Sequence, residues 1–181
     1  MAVPFPVEVK NELGKLIDDW RWEGDKVAWV KKENLHLTLK FLGETPVERL
    51  EALKANLSSR LNGLTAFPLA LSGAGAFPNL NRPRVLWVGI SEGKEKLAQM
   101  TEKVEAATIP LGFPPDERGF SAHLTVGRVK EARLSPRLLA KVRACIFEAK
   151  GIIVSEVVLF QSELAPGGSI YTPLARFELA K

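Results

Sequence analysis

Hydrophobic and polar positions recur along the chain with two periods, and these periods divide it into predicted helices and strands. After prolines 4 and 6, a helical spacing predicts a first helix that buries Val9, Leu13, Leu16, Ile17 and Trp20. A capping box over 45–48 predicts a second helix, with inward positions Val47, Leu50, Leu53, Leu57 and Leu61. A third helix is indicated by Leu97, Met100, Val104 and Ala107. Ser135-Pro136 predicts the start of a fourth helix that reaches about Phe147.

Extended segments lie between the predicted helices. Strands are expected at 27–30, 35–42, 67–71, 85–90, 122–129, 152–162 and 170–180. The last two flank Pro166-Gly167-Gly168, a turn signal between strands that we expect to pair. The mixture of helices and strands predicts an α+β fold with two antiparallel sheets.

Two tripeptides carry the strongest chemical signal. The chain contains only two histidines, and they open His36-Leu37-Thr38 and His123-Leu124-Thr125. Because seven of the 181 residues are threonines, the chance that both histidines are followed by a threonine two positions later is roughly one in 670. In a strand, residues two apart share a face, so each tripeptide presents an imidazole beside a hydroxyl. Because the tripeptides lie 87 positions apart, we expect two similar lobes related by duplication, with the histidines facing a common cleft.

Neighbouring residues extend these two polar faces differently. Strict alternation from 35 to 41 places Lys40 on the same face as His36 and Thr38. In the second motif, Arg128 has the opposite parity from His123, so its guanidinium reaches the cleft only past a twisted strand end.

Composition narrows the class of protein. The chain is 46% hydrophobic and 25% charged, its apolar runs are too short to span a membrane, and its start lacks a secretory signal. The lone Cys145 cannot form an internal disulfide, and we expect it to be a small buried residue of the fourth helix. We therefore expect a soluble, cytoplasmic monomer, and the net charge of +4 weakly favours a phosphate-bearing partner.

Paired imidazoles can perform acid and base steps at phosphorus. One neutral and one protonated histidine supply a general base and a general acid without a metal ion. The threonine hydroxyls can donate to non-bridging phosphate oxygens as negative charge grows on them. A metal site is disfavoured, because two histidines without a third His, a Cys or an acidic residue four positions away give too few ligands.

The residues around the tripeptides resemble those of the 2H phosphoesterases, in particular the bacterial and archaeal RNA 2′,3′-cyclic phosphodiesterases once called 2′-5′ RNA ligases. The resemblance covers His36-Leu37-Thr38-Leu39-Lys40-Phe41-Leu42-Gly43-Glu44, then Phe77-Pro78, Arg82-Pro83-Arg84-Val85-Leu86-Trp87 and Phe120, and finally His123-Leu124-Thr125-Val126-Gly127-Arg128.

This resemblance implies that residues 1–181 form one bilobal domain, in which each pseudo-symmetric lobe is an antiparallel sheet with helices packed outside. It further implies an active cleft between the lobes and no cofactor. The reaction it implies is hydrolysis of a 2′,3′-cyclic phosphate, on RNA or on a nucleotide, to a 2′-phosphate. His36 and His123 are then catalytic. The residues alone fit either assignment of acid and base, and the resemblance favours His36 as acid and His123 as base. Thr38, Thr125 and Arg128 then bind substrate.

Two other functions remain open on the residues alone. The same cleft run in reverse is a ligase that forms a 2′-5′ bond, and a cleft without turnover is an RNA-end binding protein. Phe77 and Phe120 are candidates to stack bases, whereas core packing is expected for Trp87. Basic side chains that can steer RNA are Arg82, Arg84, Arg128, Lys130 and Arg133.

The amino terminus departs from the family pattern. Members usually begin with a full apolar strand before the proline that precedes the first helix, whereas only Met1-Ala2-Val3 stands here. We therefore expect a shortened strand or a start further upstream, and with it a less stable site-bearing sheet.

Overall fold

A computed structural model describes residues 1–117, 119–131, 133–166 and 168–181. Its four α-helices are α1 (Val7–Trp20), α2 (Leu50–Leu61), α3 (Lys94–Thr108) and α4 (Pro136–Arg143). Each helix buries one apolar side, as the helical spacing predicts. In α3 the four predicted residues Leu97, Met100, Val104 and Ala107 are buried, together with Thr101 and Thr108.

Within the described residues, nine strands form two antiparallel sheets, which confirms the expected fold class. The strands are β1 (Ala2–Pro4), β2 (Val27–Trp29), β3 (His36–Thr38), β4 (Phe67–Phe77), β5 (Val85–Glu92), β6 (His123–Val129), β7 (Glu148–Val154), β8 (Glu156–Ala165) and β9 (Gly168–Glu178). The four-stranded sheet has the order β3-β1-β8-β9, and the five-stranded sheet has the order β2-β6-β5-β4-β7.

Segments from both ends of the sequence build the four-stranded sheet. β1 and β3 pair into the sheet of the carboxyl-terminal strands, while β2, which lies between them in sequence, joins the other sheet. Trp20 of α1 packs on Trp29 of β2 with ring centroids 6.4 Å apart, and α4 contacts β4. α2 contacts β9, so this helix covers the four-stranded sheet. Buried side chains of both sheets belong to one hydrophobic cluster, which holds the two sheets together.

The predicted cap of the second helix is wrong. The helical segment begins with a 3₁₀ turn at Val47–Arg49 after Pro46, and the Thr45 hydroxyl donates to the carbonyl of Gly43 instead of capping the turn. Val47 is 76% exposed, so it does not belong to the core. Proline at the cap position supplies no side-chain acceptor, and the true α-helix begins at Leu50.

The cap of the fourth helix is confirmed, but its end is not. The Ser135 hydroxyl accepts a hydrogen bond from the backbone N–H of Leu138 at 3.1 Å, and the Asp25 carboxylate accepts from the N–H and the hydroxyl of Ser135. The helix ends at Arg143, not near Phe147, which leaves Cys145 half-buried outside it.

Two predicted strand boundaries also differ. The segment 152–162 is not one strand, because it is divided at Ser155 between β7 and β8, which belong to different sheets. The segment 35–42 contains only the three-residue strand β3. β8 and β9 pair as expected, while Gly167 of the predicted turn lies outside the described residues.

The short amino-terminal segment does form a strand. β1 has three residues and lies between β3 and β8, with Val3 opposite Leu37 and Ala2 opposite both Thr38 and Val158. The backbone of β3 is therefore paired, which answers the concern that its partner strand is absent. Among the described residues, no helix combines the length and the apolar character needed to traverse a bilayer.

Candidate active site

The two tripeptides form strands of different sheets, and those strands meet. β3 is the edge strand of the four-stranded sheet, and it approaches β6 of the five-stranded sheet to within 8 Å between Cα atoms. Along β3, Leu37 is fully buried while His36 and Thr38 are half-buried. Along β6, Leu124 is fully buried while His123 and Thr125 are half-buried. Each leucine therefore anchors its strand in the core, and the imidazole and hydroxyl of that strand occupy its other face.

Each imidazole is oriented by backbone two residues earlier in the chain. The Nδ1 atom of His123 lies 2.7 Å from the carbonyl oxygen of Ser121. A carbonyl can only accept, so Nδ1 carries the proton and Nε2 of the neutral ring is left as the acceptor. His36 makes a corresponding hydrogen bond to the backbone of Asn34. The amide side chain of Asn34 donates to the carbonyl of Ser169 at 2.7 Å, which ties this segment to the β8–β9 hairpin.

Aromatic rings of the β8–β9 hairpin cover His36. Phe160 stacks on the imidazole with centroids 5.8 Å apart and an interplanar angle of 26°, and Tyr171 meets it edge-on at 4.8 Å. Burial beneath these rings lowers the pKa of His36 to about 4, and the positive charge of the amino terminus acts in the same direction. His36 is therefore neutral at pH 7 in the ligand-free protein.

His123 has an aromatic neighbour in the corresponding position of the other sheet. Phe77 of β4 meets its imidazole edge-on at 4.9 Å, and Trp87 packs against Phe77 at 5.4 Å. Trp87 stands opposite Gly75 in the sheet, and a Cβ atom on that glycine would lie only 2.4 Å from the indole. The prediction that Trp87 packs in the core is therefore wrong, because its ring lies on the face of the sheet that carries His123.

A register shift in the sheet places Arg128 on the histidine face. Across β5 and β6, Gly89 stands opposite His123 and Trp87 opposite Thr125, but Leu86 stands opposite Gly127, which leaves Val126 as an extra residue. Such a bulge reverses the alternation of side chains beyond it. Arg128 consequently stands opposite Val85, on the same face as Trp87, and it is exposed. The prediction from strict alternation, that Arg128 lies on the face opposite to His123, is wrong for this reason.

Lys40 does not extend the polar face of β3. It is 5% exposed, and its ammonium is bound by the Glu105 carboxylate of α3 and by the carbonyl oxygen of Pro114. β3 ends at Thr38, so the alternation that predicted a third polar group in the cleft does not continue to position 40. The lysine instead joins the segment after β3 to α3, which packs against α2.

The side chains that cover and hold the imidazoles are the part of the site that sequence reasoning missed. Phe160, Tyr171 and Asn34 carry no motif, and their positions depend on the pairing of distant strands. Phe120 packs against the core at its margin. Among the described ranges, no three His, Cys, Asp or Glu side chains are grouped as metal ligands would be.

Comparison with known proteins identifies the family. The family description LigT like Phosphoesterase matches twice, over 3–87 and 88–171, and each match contains one of the two tripeptides. The RNA 2′,3′-cyclic phosphodiesterase of Archaeoglobus fulgidus is 43% identical over 155 residues, which are 84% of each chain. The protein of the same name from Methanothermobacter thermautotrophicus is 34% identical over 99% of this chain and 97% of its own.

A solved structure agrees with these relatives. The crystal structure of LigT from Escherichia coli in complex with 3′-AMP superimposes with a TM-score of 0.80, at 27% identity over 99% of this chain and 96% of that one. Two family matches that together span most of the sequence, and relatives of similar length, lead to one conclusion. The chain belongs to the LigT-like phosphoesterase family.

Proposed function

We propose that this protein hydrolyses 2′,3′-cyclic phosphates, at the ends of RNA or on nucleotides, to 2′-phosphates by two-histidine acid–base catalysis without a metal ion. The observation that carries the proposal is the meeting of β3 and β6, each with an imidazole oriented by backbone two residues before it. The names of the relatives and the nucleotide complex of the E. coli structure support the substrate class. The two family matches support one bilobal domain over 1–181.

The reaction requires one proton to be removed and one to be delivered. A base takes a proton from water as the water oxygen attacks phosphorus, and the bond from phosphorus to the 3′-oxygen breaks on the opposite side. An acid then protonates the departing 3′-oxygen, so the product is a 2′-phosphate and a 3′-hydroxyl. Each histidine role contributes about 10²- to 10⁴-fold.

Three further side chains stabilise the phosphate in this proposal. The hydroxyls of Thr38 and Thr125 share strand faces with the two imidazoles, and each donates a hydrogen bond to a non-bridging oxygen. The guanidinium of Arg128 stands on the same face of β6 beyond the bulge, and it adds positive charge there. Groups of both sheets thus stabilise the negative charge that develops on the phosphate.

The environment of His36 sets a condition on its role. Family resemblance makes His36 the acid, yet its pKa of about 4 leaves it without the acidic proton at pH 7. The acid role therefore requires that the bound phosphate anion raise the pKa of His36. If the anion does not raise it, the neutral imidazole is suited to the base role, and His123 is the acid.

Product analysis in EDTA tests the proposal. The protein is incubated with 2′,3′-cyclic AMP, and with a cyclic-ended oligonucleotide in the presence and absence of a 5′-hydroxyl oligonucleotide. We expect turnover to the 2′-phosphate that is unaffected by the chelator. Formation of a 2′-5′ linkage as the main product would favour the ligase, and binding without turnover would favour an RNA-end binding protein. Either result contradicts the proposal, as does formation of the 3′-phosphate.

The roles of the histidines are separable with substrates that carry an activated leaving group. Loss of the general acid is compensated when the leaving group departs without a proton, whereas loss of the base is not. The variant of His36→Ala and His123→Ala that recovers activity on the activated substrate therefore identifies the acid.

A further inference from the structure

Lys40 carries a buried charge that the proposed reaction does not use. Within the ranges that the structure describes, it is the one charged residue that is buried. Its ammonium donates to the Glu105 carboxylate of α3 and, at 2.8 Å, to the carbonyl oxygen of Pro114. A buried ion pair adds little net stability over a packed apolar pair, because desolvation of the two charges offsets their attraction. The three-way contact therefore points to a positional role.

One side of this contact belongs to the strand of His36. Lys40 follows Thr38 of β3 by two residues. Its backbone N–H donates to the carbonyl oxygen of Met1 at 3.3 Å, as the N–H of Leu39 does at 2.9 Å. Met1 directly precedes β1, the strand that pairs with β3. The backbone at position 40 is therefore held by the same pairing that holds the first imidazole.

The other side of the contact belongs to the segment that orients His123. Residues 109–122 connect α3 to β6, and Pro114 lies within this connection. Phe113 beside it is buried, which anchors the middle of the connection in the core. Ser121, near the end of the connection, supplies the carbonyl oxygen that lies 2.7 Å from Nδ1 of the imidazole. The lysine thus binds the stretch of chain whose far end orients the second histidine.

We propose that Lys40 is a positioning residue, which couples the segment after β3 to the connection before β6 and so keeps the Ser121 carbonyl in place for the ring of His123. This inference rests on the proposed function. It holds for either assignment of acid and base, because Nδ1 stays bonded to the carbonyl while Nε2 exchanges the proton. Displacement of a catalytic group by about 1 Å lowers a rate by about 100-fold, so a lysine that does not touch the substrate can govern turnover.

The double variant Lys40→Met, Glu105→Met separates positioning from stability. Lys40→Met alone leaves a buried carboxylate without its partner, whereas the double variant removes both charges. Replacement of a buried ion pair by apolar side chains of similar volume is often neutral or stabilising. The double variant should therefore regain most of the stability that the single variant loses. It does not regain the hydrogen bond to the carbonyl of Pro114, so turnover should not recover with stability.

Steady-state kinetics on 2′,3′-cyclic AMP give the first measurement. Each protein is assayed well below its thermal midpoint, so that differences in folded fraction do not contribute. We expect kcat of the double variant to fall by about 10- to 100-fold, as for a misplaced catalytic group. KM should change little, because Thr38 and Thr125 lie on strands that the substitutions leave paired. A double variant that recovers wild-type kcat together with stability would overturn the inference.

The tautomer of His123 gives a second measurement, which a merely structural role would not change. Ring-nitrogen NMR of isotope-labelled protein at alkaline pH distinguishes the two neutral tautomers, and His36→Gln removes the signals of the other ring. In the otherwise wild-type protein we expect the proton on Nδ1, because the Ser121 carbonyl accepts it. With Lys40→Met and Glu105→Met added, we expect a mixture of both tautomers. A single, unchanged tautomer would contradict the positioning role.

Arg49→Gln is the matched control. Arg49 is exposed, and it donates to the carbonyl oxygen of Leu111 in the same connection at 3.1 Å. Because water replaces an exposed hydrogen bond at little cost, this variant should retain both kcat and the single tautomer of His123. Losses equal to those of the double variant would show that the buried lysine has no special part in positioning.

The outcomes also distinguish this inference from the proposed function. If the wild type does not hydrolyse the cyclic phosphate, the proposed function is wrong, and the role of Lys40 in turnover falls with it. If the wild type hydrolyses it and the double variant keeps kcat and tautomer, only the inference is overturned.

Discussion

The pKa of His36 offers a direct physical test of the site, and its response to a bound phosphate can be worked out from the structure. Burial beneath Phe160 and Tyr171 places this pKa at about 4 in the free protein. A single negative charge 4 Å from the imidazolium stabilises it by about 4 kcal/mol at an effective dielectric constant of 20. This energy corresponds to about 3 pKa units, so binding 2′-AMP should bring the pKa of His36 to about 7.

Proton NMR measures this shift without labelling, since the chain has only two histidines. The ring C–H signals are followed from pH 3 to pH 9 with and without 2′-AMP, and the His123→Asn variant leaves the signal of His36 alone. A free His36 that titrates near 6.5 would refute the burial argument. A low pKa that 2′-AMP does not change would contradict the acid role of His36 and would leave its neutral imidazole suited to the base role.

Three other predictions concern stability and packing. The folded pKa of His36 lies below its unfolded value of 6.5, so the native state binds fewer protons than the unfolded state between these two pH values. At pH 4 this difference destabilises the fold by about 3 kcal/mol. His36→Gln should therefore lose less stability than the wild type between pH 6.5 and 4, as measured by urea unfolding. Lys40→Met should lower stability by about 3 kcal/mol, seen as a drop in thermal midpoint of about 6–12 °C, because it leaves the Glu105 carboxylate unpaired. Gly75→Ala should displace Trp87, cost about 1–3 kcal/mol and lower kcat/KM on the cyclic substrate.

Matched variants separate these effects from general damage. Lys141→Met breaks an exposed ion pair with Asp19 and should cost less than about 1 kcal/mol, so an equal loss in both lysine variants would contradict the role of the buried pair. Gly14→Ala, in the middle of α1, adds a Cβ that lies 3.6 Å from the side chain of Lys32, an ordinary contact, and should not destabilise the protein. An identical acid response of wild type and His36→Gln would contradict the pH argument.

Local patterns predicted the elements of the site because the chemistry is carried by adjacent residues of one strand. The tripeptides at 36–38 and 123–125 have a period of two, and both form strands with a buried leucine. The helical spacing of the first and third helices likewise corresponds to faces that are buried. Such periodicity is a property of single elements and is visible without a partner.

Sequence patterns failed where strand pairing decides the outcome. The bulge at Val126 exists only because β5 and β6 pair with that register, and it moves Arg128 to the histidine face. The β-forming residues on both sides of Ser155 predicted one strand over 152–162, because the sequence does not show that the two halves pair into different sheets. The cover of His36 by Phe160 depends on β8, more than a hundred residues away, so its lowered pKa could not be predicted from the motif.

Catalysis by both imidazoles is the central claim, and removal of each one tests it. The rate of 2′,3′-cyclic AMP hydrolysis is measured in EDTA for the wild type, His36→Ala, His123→Ala and the double variant, with folding checked by circular dichroism. We expect each single variant to lose about 10²- to 10⁴-fold in kcat, and neither to depend on added metal. A single variant that retains wild-type turnover would contradict the two-histidine mechanism.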